Sequence, residues 1–195
     1  ISTVGGKDGL GGRFPMTVRT PYAFDEHYYR NAWEMESDAT HYDDYPRTGP
    51  RIFVGEWATR EGSPTTDFNA ALGDAAWMTG MERNSDVVVM ASYAPLFVNV
   101  NPGGMQWKSD LIGYDVLKSY GSPSYYAQVM FSQYLGNRVV PVTGSGIPTQ
   151  THKLSDKDIA RGASDKAPAM FYVATRNTAS GTIYLKVVNV LGTAQ

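Results

Sequence analysis

Two short stretches carry the side chains best suited to chemistry. Glu56 follows Arg51-Ile-Phe-Val-Gly55, and Asp25-Glu26-His27-Tyr28-Tyr29 gathers two carboxylates, an imidazole and two phenols into five positions. In an extended chain alternate residues share a face, so Asp25, His27 and Tyr29 point one way and Glu26 and Tyr28 the other. A phenol donating to a glutamate holds that carboxylate ionised and aimed, as nucleophilic attack on a glycosidic carbon requires. The same residues also fit quieter roles: a solvated glutamate opening a surface loop, and a core histidine and tyrosine with satisfied hydrogen bonds.

These groups need elements to position them. Ile52-Phe53-Val54 is a short apolar run of β-formers bracketed by Gly49-Pro50 and Thr59-Arg-Glu-Gly62, which reads as a buried strand of a parallel sheet with Glu56 at its carboxyl end. Tyr22 to Tyr29 and Asp86 to Tyr93 read as two more such strands. Between them lie a short, irregular helical stretch over 31–45 and a helix over about 67–84, capped by Thr65 or Thr66, with Phe68, Ala71, Leu72, Ala75 and Met78 on one face. Ser122-Pro123 opens a further helix with Tyr126, Val129, Met130 and Tyr134 turned inward, closed by Gly136. After Gly136 the pattern changes to strands at 139–142, 170–175 and 182–188, separated by a polar stretch with no regular pattern. The fold expected is α/β: the carboxyl half of a (β/α)₈ barrel over 1–137, with the start of an all-β sandwich over 138–195. Three strands cannot close a barrel and three more are too few for a sandwich, so the chain reads as part of a longer polypeptide. It also begins at Ile1 rather than methionine.

The chain has 195 residues, a net charge of −2 and no cysteine, which removes disulfides and thiol catalysis and gives no basic footprint for nucleic acid or anionic membrane. No apolar run is long enough to span a bilayer. Aromatics make up 12% of the residues, including 13 tyrosines, a supply of amphipathic rings that suits sugar binding and core packing equally. The glycine-rich opening over 1–22 reads as loop, and Gly9-Leu-Gly11-Gly12 lacks the preceding strand that a phosphate-binding turn needs.

Rival chemistries fare poorly. Asp25, His27, His41 and Glu56 are metal-ligand types, but no two histidines stand at i, i+4 and no tight ligand box forms, so neither metal nor cofactor is expected. Gly144-Ser-Gly146 has no strand-to-helix context for a nucleophile elbow. Trp57, Tyr93, Asn99 and Trp107 lie near strand ends; Trp107, in a glycine-containing loop, could stack on a sugar ring or plug the mouth of a barrel. Trp33 and Trp77 fall within helical stretches, where core packing is expected.

Asp25-Glu-His-Tyr-Tyr29, Gly49-Pro-Arg-Ile-Phe-Val-Gly-Glu56-Trp57-Ala58, Met81-Glu-Arg-Asn-Ser-Asp86 and Met90-Ala-Ser-Tyr-Ala-Pro-Leu-Phe-Val-Asn99 together resemble the α-L-arabinofuranosidases of glycoside hydrolase family 51, in their longer form. Trp107-Lys-Ser-Asp-Leu-Ile and Tyr120-Gly-Ser-Pro-Ser-Tyr-Tyr126 add to the match, which runs from about Tyr22 to Gly136. The resemblance implies a retaining hydrolase that removes terminal α-L-arabinofuranosyl groups from arabinoxylan, arabinan and related saccharides. It maps the nucleophile, at the end of the seventh barrel strand, to Glu56. It maps the sixth strand's His-x-Tyr to His27 and Tyr29, with the tyrosine hydrogen-bonded to the nucleophile, and it makes 87–93 the eighth strand. The acid/base of the family follows an asparagine on the fourth strand, and no Asn-Glu pair occurs here. A companion fragment carrying the first strands and that acid is therefore expected, and secretion to the extracellular space is implied by the longer relatives. A non-catalytic carbohydrate-binding or scaffold protein, or a barrel glycosidase of another specificity such as a β-xylosidase or endoglucanase, stays open from the residues.

Overall fold

The computed structural model describes residues 21–193, so the glycine-rich opening with Gly9-Leu-Gly11-Gly12 lies outside the described residues. Three parallel strands, β1 (Ala23–Arg30), β2 (Arg51–Thr59) and β3 (Val88–Tyr93), lie side by side in that order. Helices α1 (Ala32–Ser37) and α2 (Phe68–Arg83) connect them, giving the alternation that the apolar runs predict.

Local chemistry sets each start. Asn31 caps α1 by accepting from the Glu34 backbone N–H at 2.7 Å, while the Glu34 carboxylate accepts from the Asn31 N–H at 2.8 Å, a reciprocal capping box. α2 is capped by Asp67, whose Oδ1 accepts from the Ala70 N–H at 2.9 Å, rather than by Thr65 or Thr66. An ionised carboxylate there also meets the positive end of the helix dipole, which a threonine cannot match. α2 is buried around most of its circumference. A Cβ on Gly80 would stand 2.1 Å from the Ala39 carbonyl oxygen, and one on Gly73 2.8 Å from the Ala32 Cα, so the chain of α1 and its following turn lies directly against the helix backbone. Trp77 is 1% exposed, packed on Tyr28 with ring centroids 5.1 Å apart, as its helical position predicts. Phe68, expected on the inner face, is 70% exposed at the first turn.

Beyond β3 the chain forms a small sheet that the sequence pattern does not reveal, of β4 (Phe97–Asn99), β5 (Ile112–Tyr114) and β6 (Ser119–Gly121). α3 (Pro123–Gln133) starts as predicted, with Ser122 as cap and Pro123 in the first turn. Its expected inner face does not hold: Tyr126, Met130 and Tyr134 are each more than half exposed, and Ser124 and Ala127 make the buried contacts. Next come β7 (Arg138–Val140), β8 (Thr149–Thr151), α4 (Asp156–Ala160) and β9 (Lys166–Pro168), then β10 (Met170–Arg176) and β11 (Ile183–Asn189). β11, β10 and β7 form an antiparallel sheet, and β8 pairs with β9 to bracket α4 inside the stretch that looked patternless.

One core joins the two sheets through α2. Ile52, Val54, Trp57 and Val88 from the parallel strands pack with Trp77 and Met78, and Phe171 and Val188 from the antiparallel strands join the same cluster. Polar contacts reinforce it: Arg161 pairs with the buried Glu34 at 2.9 Å, and the Trp33 indole N–H donates to the Ser164 carbonyl at 2.8 Å. Trp33 is thus a bridge between layers rather than a core plug.

Candidate active site

Paired residues of parallel neighbours share a face of their sheet. Phe24, Glu26 and Tyr28 on β1 pair with Ile52, Val54 and Trp57 on β2, and this face carries the helices. Asp25, His27 and Tyr29 occupy the opposite face, and opposite His27 stands Glu56. The register makes this possible: Glu26 pairs with Val54, yet His27 pairs with Glu56, so Gly55 is an extra residue bulged out of the ladder. Without it Glu56 would follow Val54 onto the helix-covered face. With it, Glu56 stands beside His27 and Tyr29, its side chain 44% exposed.

The Tyr29 phenol donates to Glu56 Oε2. His27 Nδ1 lies 3.4 Å from the same oxygen, and the other ring nitrogen, Nε2, lies 3.2 Å from Asp25 Oδ2. Burial of the Tyr29 phenol, reinforced by its bond to the Glu56 carboxylate, pushes it well above the ordinary phenol range, against an opposing pull from Arg60. The hydroxyl therefore stays a donor at every working pH. Arg60, just beyond β2, lies over the Tyr29 ring at 5.5 Å and donates to the Lys108 carbonyl at 2.9 Å. Residue types gave no reason to single out Arg60; its place one step past the strand that ends in the site is the signal.

The structure brings Glu56, His27 and Tyr29 together. Trp107 stays in its loop, 57% exposed, tied to this group among the described residues through Arg60 and its neighbour Lys108. Trp57 and Tyr93 turn the other way: Trp57 is 3% exposed in the core, and the Tyr93 hydroxyl donates to the buried Asp74 at 3.2 Å. His41 lies on the helix-covered side, next to the Tyr28 hydroxyl at 3.2 Å and Asp38 at 2.9 Å. Among the described residues no group of three or more histidines, aspartates or glutamates is placed to hold a metal ion.

A partly exposed carboxylate with a phenol donating to one oxygen and an imidazole nitrogen 3.4 Å from the same atom suits a nucleophile that must stay ionised before attack and leave cleanly afterwards. Asp25 lies across the imidazole from it and is 6% exposed, so it is not a second acid open to a ligand.

Comparison with known proteins gives this site a context. Residues 39–193 match the family model described as the α-L-arabinofuranosidase C-terminal domain. The extracellular exo-α-L-arabinofuranosidase of Streptomyces chartreusis is 40% identical over 125 residues, 64% of this chain and 14% of that protein. α-L-Arabinofuranosidase 2 of Arabidopsis thaliana is 40% identical over 124 residues, 63% of this chain and 18% of that protein. Among solved structures, an arabinose-bound α-L-arabinofuranosidase of glycoside hydrolase family 51 superposes with a TM-score of 0.75 at 30% identity, covering 93% of this chain and 28% of that one. The arabinose complex of the Thermotoga maritima enzyme follows at 0.63, with 16% identity over 86% of this chain and 38% of that one, a likeness of fold. The chain therefore spans well under half the length of the proteins it matches.

Proposed function

The chain belongs to the α-L-arabinofuranosidase family through its C-terminal domain, and from that premise we propose that the enzyme carrying it is a retaining glycoside hydrolase that releases terminal α-L-arabinofuranosyl groups from arabinan- or arabinoxylan-type saccharides. Glu56 is the nucleophile. The observation that carries this reading is the Tyr29 hydroxyl donating to a carboxylate that the Gly55 bulge turns away from the helices.

Tyr29 and His27 both address Oε2, so Oε1 attacks the anomeric carbon, and the arabinosyl group passes to Glu56 as an ester. A second carboxylic acid, roughly 5–5.5 Å away in retaining enzymes, protonates the departing oxygen and then draws a proton from the water that breaks the ester. No Asn-Glu pair occurs in this sequence, and we assign that acid to another part of the enzyme. The three parallel strands serve as the sixth to eighth of a (β/α)₈ barrel occupying 1–137, and 138–195 begins a β-sandwich. Trp107 borders the sugar site from its loop. An extracellular location follows the name of the Streptomyces relative.

Glu56→Ala in the enzyme should abolish hydrolysis of an aryl α-L-arabinofuranoside, and azide should restore it by attacking in place of the missing carboxylate. Undiminished turnover in that variant removes Glu56 from its role. The matching xyloside and glucoside serve as controls for specificity, and neither should be cleaved at a comparable rate.

A further inference from the structure

Asp25 lies one imidazole away from Glu56. It stands two residues before His27 on β1, shares its face, and brings Oδ2 to 3.2 Å from Nε2 while Nδ1 reaches Glu56 Oε2 at 3.4 Å. Asp25 is 6% exposed, and a carboxylate taken out of water needs polar or charged neighbours to offset the cost; the His27 imidazole is one of them. Room for it comes from Gly55. A Cβ at that position would stand 1.9 Å from Asp25 Oδ1, so the bulged glycine that turns Glu56 onto this face also admits Asp25 beneath the strand.

An imidazole facing a carboxylate at each nitrogen satisfies both only when both nitrogens carry hydrogen. Which nitrogen is protonated, and where the ring points, is set by the bond made at the other one. Among the described residues, the groups that face this ring are Asp25 from β1 and Glu56 from β2, with Tyr29 reaching the same Glu56 oxygen and Arg60 lying over the Tyr29 ring.

Resting on the assignment of Glu56 as nucleophile, we infer that Asp25 is a positioning residue that acts on Glu56 through His27: it accepts from Nε2–H, fixes the ring plane, and offsets the charge of a ring that presents Nδ1–H to Oε2. The role is largest when the ester breaks. In that step the C–O bond to Glu56 cleaves, its electron pair returns to the carboxylate, and a donor already aimed at Oε2 stabilises the charge as it develops. Attack in the first step starts from the charged carboxylate, which the same donor also stabilises, so that step gains little.

The consequence is specific. With an aryl arabinofuranoside carrying a good leaving group, Asp25→Asn should lower kcat about tenfold, the effect of losing roughly one charge-assisted hydrogen bond in the transition state. KM should fall in proportion, kcat/KM should stay near the original value, and a burst of released phenol should mark accumulation of the ester. Asp25→Ser, which leaves the Gly55 bulge and Glu56 as they are, should change the same quantities in the same direction, and it carries the test if Asp25→Asn does not yield folded enzyme. Unchanged kcat, or a loss in kcat/KM with KM constant and no burst, overturns the role of Asp25. Azide rescue of Glu56→Ala runs alongside: if rescue succeeds while Asp25→Asn behaves as wild type, only the positioning role falls, and if rescue fails the nucleophile assignment falls with it.

Discussion

Tyr29 and Glu56 come from neighbouring parallel strands, and the phenol of the first donates to Oε2 of the second. The donor cannot be lost by ionisation at any working pH, because burial and the adjacent carboxylate hold the phenol protonated. Tyr29→Phe keeps the ring under Arg60 and removes only the hydroxyl. A hydrogen bond to a charged group contributes about 1.5–3 kcal/mol, so kcat should fall roughly 10- to 100-fold while the melting temperature changes little. Steady-state kinetics beside a thermal melt checks both, and a variant with wild-type kcat would show that the phenol does not act on the carboxylate proposed as nucleophile.

The strands were legible because Ile52-Phe53-Val54 and Val87-Val-Val-Met90 are unbroken apolar runs, the pattern of strands buried on both sides. The face of Glu56 was not. Counting by two from Ile52 and Val54 sends it to the helix-covered side, and one bulged glycine reverses that. An isolated glycine inside a strand is a bulge signal, so Gly55 was the residue to question. The strands β8 and β9 escaped because three residues are too few to display alternation. Tyr126, Met130 and Tyr134 show the opposite failure: helical spacing marks an apolar stripe, but spacing alone does not say what covers it. Trp57 turns into the core for the same reason that Glu56 turns away from it, since consecutive strand residues face opposite ways.

The antiparallel sheet is tied to α2 by an ion pair with little water around it. Lys186 Nζ lies 2.6 Å from both carboxylate oxygens of Glu82, the two side chains being 9% and 11% exposed, and the ammonium also lies 4.8 Å from the Phe131 ring centroid. Removing one member of such a pair strands a buried charge, at about 3–5 kcal/mol, whereas replacing both with apolar side chains of similar size is often neutral. Lys186→Met should therefore destabilise strongly in urea unfolding, and Lys186→Met with Glu82→Met should recover most of the loss. Equal destabilisation in the single and double variants would mean that packing, rather than the stranded carboxylate, sets the cost.

Where the β8–β9 hairpin meets α1, Gln150 donates to Glu36 Oε2 at 2.8 Å, and Glu36 is 6% exposed. Burial pushes the Glu36 carboxyl up to about 7; the Gln150 bond opposes that shift and Glu61 adds to it. The folded chain thus holds this proton more tightly than the unfolded one, so Glu36 makes stability fall as pH rises from about 4.5 to about 7. Glu36→Gln keeps the shape and an acceptor for Gln150 while removing the charge. The variant should match wild type near pH 4.5 and be more stable at pH 8, by at most about 3 kcal/mol. Burial likewise raises Asp74 and Asp110 to about 6, so the wild-type slope should be reduced rather than abolished. Melting temperatures of both proteins across that range decide it: parallel curves would mean that Glu36 titrates in the folded chain as it does in water.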